Sequence, residues 1–394
     1  MPGMTTIESM RFPEEGPGSV SRPRRFKYVN VGFVVVVALL VCYGLAVVYS
    51  ATLFNEDYNF SRQALFAAVG AVLMFVIFRY DYHQLSHYMG ILVAISTILT
   101  LLPHVPVIGT TVNGAQSWVR LPGFTFQPGE LAKVTVILAA ASCVARYGGK
   151  LDDFREYCKC IGIMLIPFLG VMTQPDLGTG LVYLFIDAVA LVVGGANLRF
   201  ILGTIGFLAV AVVALFVLDP IMDARMGHDV LLKDYQRSRL LVFMDNSYDP
   251  TGDGYNLQQA KIAIGSGGFF GKGYLHATQS TLGYLPESAT DFIFCVLAEE
   301  LGFVGALALL VLYAVLITKV FRIAYSANDL FGCIVAMCIA GMWLFQILEN
   351  IGMDCGLMPI TGIPLPFVSY GSSFMIVNFI LLGFIGSIWA HNGR

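Results

Sequence analysis

The sequence predicts an all-α polytopic membrane protein, from its composition, the length of its apolar runs and their continuity. Of 394 residues, 57% are hydrophobic and only 12% charged, and the mean hydropathy is +0.74. A soluble domain averages about 45–50% apolar and about 25% charged residues, so this chain lies outside that class. The apolar residues come in uninterrupted runs rather than alternating, which favours helices over a barrel. A net charge of −3 without a basic block gives no electrostatic reason to bind nucleic acid.

A helix needs about 20 apolar residues to cross the hydrocarbon. The candidate spans are roughly 30–52, 61–79, 87–105, 128–146, 160–175, 177–196, 200–219, 290–318, 331–352 and 373–390, about ten in all. Residues 1–29 are polar and Pro/Gly/Arg-rich; they read as a cytoplasmic tail without the pattern of a cleavable signal peptide. Residues 30–394 read as one transmembrane domain. With the N-terminus placed inside, fourteen of the 23 Lys and Arg fall on the inner side and nine on the outer. Six of those nine sit in the long 220–289 loop between spans 7 and 8, and Lys133 lies inside a span. Only Arg62 and Arg120 then remain in short outer segments, so both termini are expected in the cytoplasm.

The eight cysteines fit the same picture. Cys42, Cys143, Cys295, Cys333, Cys338 and Cys355 lie in or at the ends of apolar runs, while Cys158-Lys-Cys160 opens another. This is no disulfide framework, and without a nearby Cys/His pair it makes a poor zinc site.

Three outward segments are richer than connectors need to be: 106–127, 220–289 and 354–372. The second contains Gly265-Ser-Gly-Gly-Phe-Phe-Gly-Lys-Gly273, which loosely matches a phosphate-binding loop. Ser266 stands where that pattern needs Gly, Gly273 replaces its Ser/Thr, and ATP is scarce outside the cell, so an ATP site is rejected.

Ionisable groups at membrane depth are costly and are functional candidates by default. In Gln127-Pro-Gly-Glu130-Leu-Ala-Lys133, Pro128 suits a first helical turn and Glu130 favours the helix N-terminus. Glu130 and Lys133 share one helix face and can pair, although a cap plus a snorkelling lysine reads them equally well. Asp176, in Pro175-Asp-Leu-Gly-Thr179, is either an N-terminal helix charge or a site acid level with Lys133. In Leu285-Pro-Glu287-Ser-Ala-Thr290-Asp291, Thr290 or Asp291 is expected to cap the helix that follows. Glu299 lies about two turns further along and Glu300 is rotated away from it; both read as salt-bridge formers. The Pro/Gly-rich run from Pro359 to Ser373 is tolerated at membrane depth where backbone lines a cavity, and reads as a re-entrant turn closing the outer pocket. Asp187, in mid-span, has no assigned role and reads as a buried polar contact.

Asn113-Gly-Ala-Gln-Ser-Trp118, QPxExxK, PDLGT, IAIGSGGxxGKG, LPExxTDFIFxxxxEExG and NIGM…PxTGIPLPxxSYG occur in order, from about Asn113 to the C-terminus. Together they resemble the SEDS family (shape, elongation, division and sporulation). KIAIGSGGFFGKG and TGIPLPFVSYG look like its RodA branch. The resemblance implies a multi-pass protein of the bacterial inner membrane. It implies a peptidoglycan glycosyltransferase that polymerises lipid II outside the membrane, for elongation and shape, beside a class B penicillin-binding transpeptidase. The family's essential acid falls on Asp291, and other important polar positions fall on Trp118, Glu130, Lys133 and Asp176. Glu287 and Tyr370, inside the same motifs, are also expected at the substrate. The chain departs from the pattern at Gly129, Ala289 and Ser372, where Ser, His and Gly are usual; Ala289 removes an Asp–His dyad.

Joining sugars from a lipid pyrophosphate needs a base for the acceptor hydroxyl and positive charge for the departing pyrophosphate. Asp291 is the expected base. Lys133, Arg120, Lys261 or Lys272 are expected to stabilise the leaving group, with or without a divalent ion such as Mg2+ or Mn2+. Glu130 and Asp176 are expected to orient Lys133. The alternative is a lipid II flippase or another transporter, since intramembrane acids and broken helices also mark carriers.

Overall fold

Short polar side chains start several helices where the apolar runs begin. The computed structural model describes residues 30–53, 58–112, 115–122, 124–226, 232–245, 248–249 and 251–391. The predicted tail 1–29 and the motif residue Asn113 lie outside these residues. Asn30 accepts from Phe33 N–H to cap α1 (Val31–Thr52), and Asn59 accepts from Arg62 N–H to cap α2 (Phe60–Arg79). A 3₁₀ turn (Tyr82–His87) leads into α3 (Met89–Leu101).

The segment after α3 corrects the all-α expectation. It forms an antiparallel sheet in the order β1 (Gly109–Val112), β2 (Ala115–Leu121), β3 (Phe124–Phe126). Thr110 pairs with Trp118, and Arg120 with Thr125. The β-branched residues Thr110, Thr111 and Val119 suit a pleated, half-buried surface, a signal the charged motif there obscured.

Then come α4 (Pro128–Ala145), α5 (Phe154–Met172), α6 (Leu177–Val193) and α7 (Leu198–Met226). The expected 220–289 loop is instead largely helical. It holds the end of α7, α8 (Asp234–Met244), α9 (Asp253–Gly267) and the single turn α10 (Thr278–Thr281). Its many cations and glycines read as a loop because no long apolar stripe marks these short helices. The chain ends with α11 (Ile293–Tyr325), α12 (Leu330–Asp354) and α13 (Ser372–His391). Among the described residues, seven helices are long and apolar enough to cross a membrane, and α3 and α6 are shorter apolar helices. In the hydrocarbon every backbone polar group must be satisfied within the segment, which is why these runs are helical.

α4, α12 and α13 form the interior, whereas α7 buries none of its apolar window. The Trp343 indole donates to Asn378 Oδ1 at 2.7 Å and joins α12 to α13 inside the core. Close approach at glycines tightens the rest: a Cβ at Gly44 would lie 2.2 Å from Phe367 O, so α1 seats directly on the segment that precedes α13.

The glycine-rich run recognises protein rather than phosphate. Gly267 and Gly271 approach so closely that a Cβ on either would lie 2.0 Å from Ala298 O or Glu300 O. Lys272 and Gly273 donate their backbone N–H to Glu299 O and Glu300 O, each at 2.9 Å. α11 breaks at Gly302 (φ 64°), where the two backbones meet.

Candidate functional site

The N-terminal ends of α4, α6 and α8 and the segments before α11 and α13 surround one cleft of about 490 Å³. The Pro359–Ser373 run supplies Thr361, Gly362, Pro364, Tyr370 and Gly371 to its wall. Several hydrogen bonds lock that run to the turn before α11. Ser369 Oγ donates to Thr290 O at 2.7 Å, Tyr370 N–H to Ala289 O at 2.9 Å, and Asn350 Nδ2 to both Asp291 O (2.7 Å) and Ile363 O (2.9 Å).

Asp291 is half-buried and lines the cleft. It does not cap α11; that position belongs to Phe292, without a side-chain hydrogen bond, and Thr290 turns instead to Glu287 Oε2 at 3.0 Å. Burial is the largest cause that pushes the Asp291 carboxyl up to about 6, and the charge of Glu287 adds to it. The Arg239 guanidinium pulls the other way. Arg239 reaches the site from α8, with its guanidinium 5.7 Å from the Tyr235 ring centre and its Nε 3.8 Å from Asp253 Oδ2. α8 is itself held in place, because Tyr235 Oη and Gln236 Nε2 both donate to Pro175 O, the latter at 3.2 Å.

Trp118, Glu130, Asp176, Glu287 and Tyr370 also line the cleft. Glu287 accepts from Tyr58 Oη at 2.6 Å as well as from Thr290, and Tyr58 and Tyr370 meet edge to face at 5.0 Å. Asp176 serves as the N-cap of α6 for Thr179 N–H (3.0 Å) and accepts from Gln127 Nε2 (2.9 Å). Its carboxylate is thus engaged there rather than on Lys133. Lys133 pairs with Glu130 at 2.6 Å, both buried, and its ammonium stands 5.7 Å from the Phe374 ring centre.

The cations expected at the leaving group lie elsewhere. Lys133 is behind the cleft wall, and Arg120 is exposed on β2. Lys272 pairs with Glu299 at 2.5 Å, as the salt-bridge reading of Glu299 expects, and Glu300 accepts from Ser50. Lys261 lies beside Gly356. Among the described residues, the cations that do line the cleft are Arg62 and Arg239. Neither stands out in the sequence, because Arg62 is a short-loop charge and Arg239 one of many loop charges. The Tyr235-Gln236 pair four and three residues before Arg239 was the signal for an ordered helix. Among the described residues no three His, Cys, Asp or Glu side chains gather to hold a metal ion. Asp187 is buried in α6 with neither oxygen hydrogen-bonded to a described residue.

The sequence profile of the cell cycle protein family FTSW_RODA_SPOVE matches residues 28–393. Stage V sporulation protein E of Bacillus subtilis is 36% identical over 89% of this chain and 94% of its own length. The peptidoglycan glycosyltransferase MrdB of Escherichia coli is 39% identical over 91% of this chain and 92% of its own. Among solved structures, a chain from "Structural coordination of polymerization and crosslinking by a peptidoglycan synthase complex" superposes with a TM-score of 0.76 at 31% identity. It covers 92% of this chain and 98% of that one. The rod shape determining protein RodA of Thermus thermophilus gives 0.66 at 29% identity, over 92% of this chain and 96% of that one. The cleft that holds Asp291 and Arg239 is therefore carried on a shared fold, and the chain belongs to the FtsW/RodA/SpoVE family of cell cycle proteins.

Proposed function

We propose that this protein is a RodA-like peptidoglycan glycosyltransferase, which polymerises lipid II into glycan strands at the outer face of the bacterial inner membrane. The observation that carries the reading is Asp291, half-buried in a cleft with Arg239 beside it. In this reading ten helices span the membrane, α1 to α7 and α11 to α13, with both termini in the cytoplasm and α8 to α10 outside. Asp291 accepts the proton of the acceptor sugar hydroxyl. The hydroxyl oxygen bonds to the donor's anomeric carbon as the bond to the lipid pyrophosphate breaks, and that electron pair leaves with the pyrophosphate. Arg239 and Arg62 receive the developing charge, the role expected of Arg120, Lys133, Lys261 and Lys272 from sequence. Trp118, Glu130, Asp176, Glu287 and Tyr370 shape the sugar and pyrophosphate subsites, with Lys133 reaching them through Glu130.

Among the described residues no cage for Mg2+ or Mn2+ is formed, so a divalent ion would arrive with the pyrophosphate and no step is assigned to it. The partner in this reading is a class B penicillin-binding transpeptidase; membrane lipids surround the spans. A flippase is less well supported, because the charged residues converge at one end of the bundle rather than at its middle, where carrier sites lie. The test is glycan formation from lipid II by purified protein in liposomes, with and without the transpeptidase. Polymer from the wild type and none from Asp291→Asn is expected. Lipid scrambling without polymer would overturn the enzyme reading.

A further inference from the structure

Beside Asp291 sits a second acid that the mechanism above does not use. Glu349, near the end of α12, is 3% exposed. Its Oε1 accepts a hydrogen bond from Thr361 Oγ1, and its Oε2 has no hydrogen-bond partner among the described residues. Thr361 itself lines the cleft and precedes Gly362, the residue against which Asp291 Oδ2 and Arg239 Nη1 both lie. The neighbouring Asn350 ties the same stretch of α12 to Asp291 O and Ile363 O. The two carboxyl groups therefore meet around one short segment, Thr361–Ile363.

The charged surroundings are few. Arg239 on α8 acts on both carboxyls. Glu287 and Asp176 stand on the Asp291 side, with Tyr58 hydrogen-bonded to Glu287. Asp354 is fully buried on Glu349's own helix, with Cys295 of α11 next to it, and Lys261 of α9 lies at Gly356. Like charges close together in a low-dielectric site do not both ionise readily, and such a pair releases its protons in two coupled steps.

We propose that Glu349 is a positioning residue for the transfer: it holds the Thr361 hydroxyl at the cleft wall and shares with Asp291 a single negative charge, which Asp291 carries. The proposal rests on Asp291 being the base. Loss of the second proton then places a second negative charge beside the site of the anionic pyrophosphate and stops turnover. The pH profile of the wild type falls on the alkaline side for this reason, as well as on the acid side when Asp291 is protonated.

The test is kcat/KM against pH for lipid II polymerisation by the full-length protein in liposomes. Glu349→Gln keeps an oxygen for Thr361 and removes the titration. It is expected to lose the alkaline limb and to exceed the wild type about tenfold one pH unit beyond that limb. Glu349→Leu and Thr361→Val, which break the hydrogen bond, are expected to lower kcat about tenfold with KM little changed, while eluting as folded protein in detergent. A wild type without an alkaline limb, a Glu349→Gln profile that keeps it, or a Glu349→Leu with full kcat each overturns the proposal. Asp291→Asn separates the two readings. If it still polymerises, the base assignment fails; if it is inactive while Glu349→Gln keeps the wild-type profile, the Glu349 proposal alone fails.

Discussion

Asp291 and Arg239 close on the same point of the backbone. A Cβ built on Gly362 would lie 3.1 Å from Asp291 Oδ2 and 3.6 Å from Arg239 Nη1, so the acid and the guanidinium share the space a side chain would fill. Burial and Glu287 resist the Asp291 charge, while Arg239 favours it, and the balance leaves the carboxyl at about 6. A carboxyl tuned to that value is largely ionised at neutral pH yet basic enough to take a hydroxyl proton in the transition state.

Activity should follow that balance. Protonated Asp291 cannot act as a base, so polymerisation is expected to decline about tenfold per pH unit below about 6. Arg239→Gln removes the stabilising cation, so the acid limb should move to higher pH. Asp291→Asn should cost about 10²–10⁴-fold above about pH 6, where the wild-type carboxylate is ionised, and the gap should narrow below it as the wild type loses its base. Initial rates with purified lipid II between pH 5 and about 8 check all of these, and an unmoved limb in Arg239→Gln would separate the guanidinium from the acid.

Gly362 is the cheapest way to disturb the pair without touching either charge. It adopts φ +73°, which costs an alanine roughly 1–2 kcal/mol. The added methyl group also presses on Asp291 Oδ2. Gly362→Ala should therefore lower kcat by about tenfold or more, by analogy with other small misplacements of catalytic groups. Its unfolding midpoint in detergent should fall only slightly. A fully active variant would mean that the Asp291–Arg239 geometry is slack.

The spans were legible because hydrocarbon imposes one rule on every segment, and the apolar runs obey it from Val31 to His391. Asp291, Glu130 and Asp176 were legible because a charge at a span end stands out against apolar neighbours. The α8 contribution was not. Arg239 lies among several other loop cations, and its value depends on Tyr235 and Gln236 reaching Pro175 across the chain. The β1–β3 sheet was hidden for a similar reason, since its short strands carry the motif residues Trp118 and Arg120 that drew the eye to chemistry. Lys133 shows the opposite failure. Its spacing from Glu130 correctly suggests a pair, but spacing carries no sign that Phe374 and the helix bury it behind the cleft wall.

That buried pair makes a sharp stability prediction. Removing one partner leaves an uncompensated charge inside the bundle, which typically costs about 3–5 kcal/mol. Lys133→Met and Glu130→Gln should each lower the unfolding midpoint strongly, whereas the double variant should be less destabilised than the sum of the two. Thermal unfolding in detergent micelles measures this. If the double variant folds well but makes no polymer, the Glu130–Lys133 pair serves the substrate as well as the fold.

At the other end of the bundle His83 bridges two carboxylates. Its Nδ1 lies 2.5 Å from Asp81 Oδ1 and its Nε2 3.1 Å from Asp329 Oδ2, while Asp329 also caps α12 through Gly332 N–H at 2.7 Å. Burial opposes the His83 charge, but the bonds to Asp329 and Asp81 outweigh it and hold the imidazole above its ordinary value. Burial likewise raises both acids, and their hydrogen bonds with His83 overcome that and hold them low. A raised histidine gives stability that is complete below its unfolded value of about 6.5 and is lost as pH rises through the higher folded value. Lowered carboxylates give stability that is complete above about 3.9 and is lost as pH falls through their folded values. The clamp is therefore strongest between about pH 4 and about 6.5 and loosens on the alkaline side. His83→Gln should lower the unfolding midpoint most within that window and least at higher pH, so the gap between variant and wild type narrows as pH rises. A constant gap across that range would show that the imidazole acts by shape alone and that its charge contributes nothing to tying the 3₁₀ turn to α12.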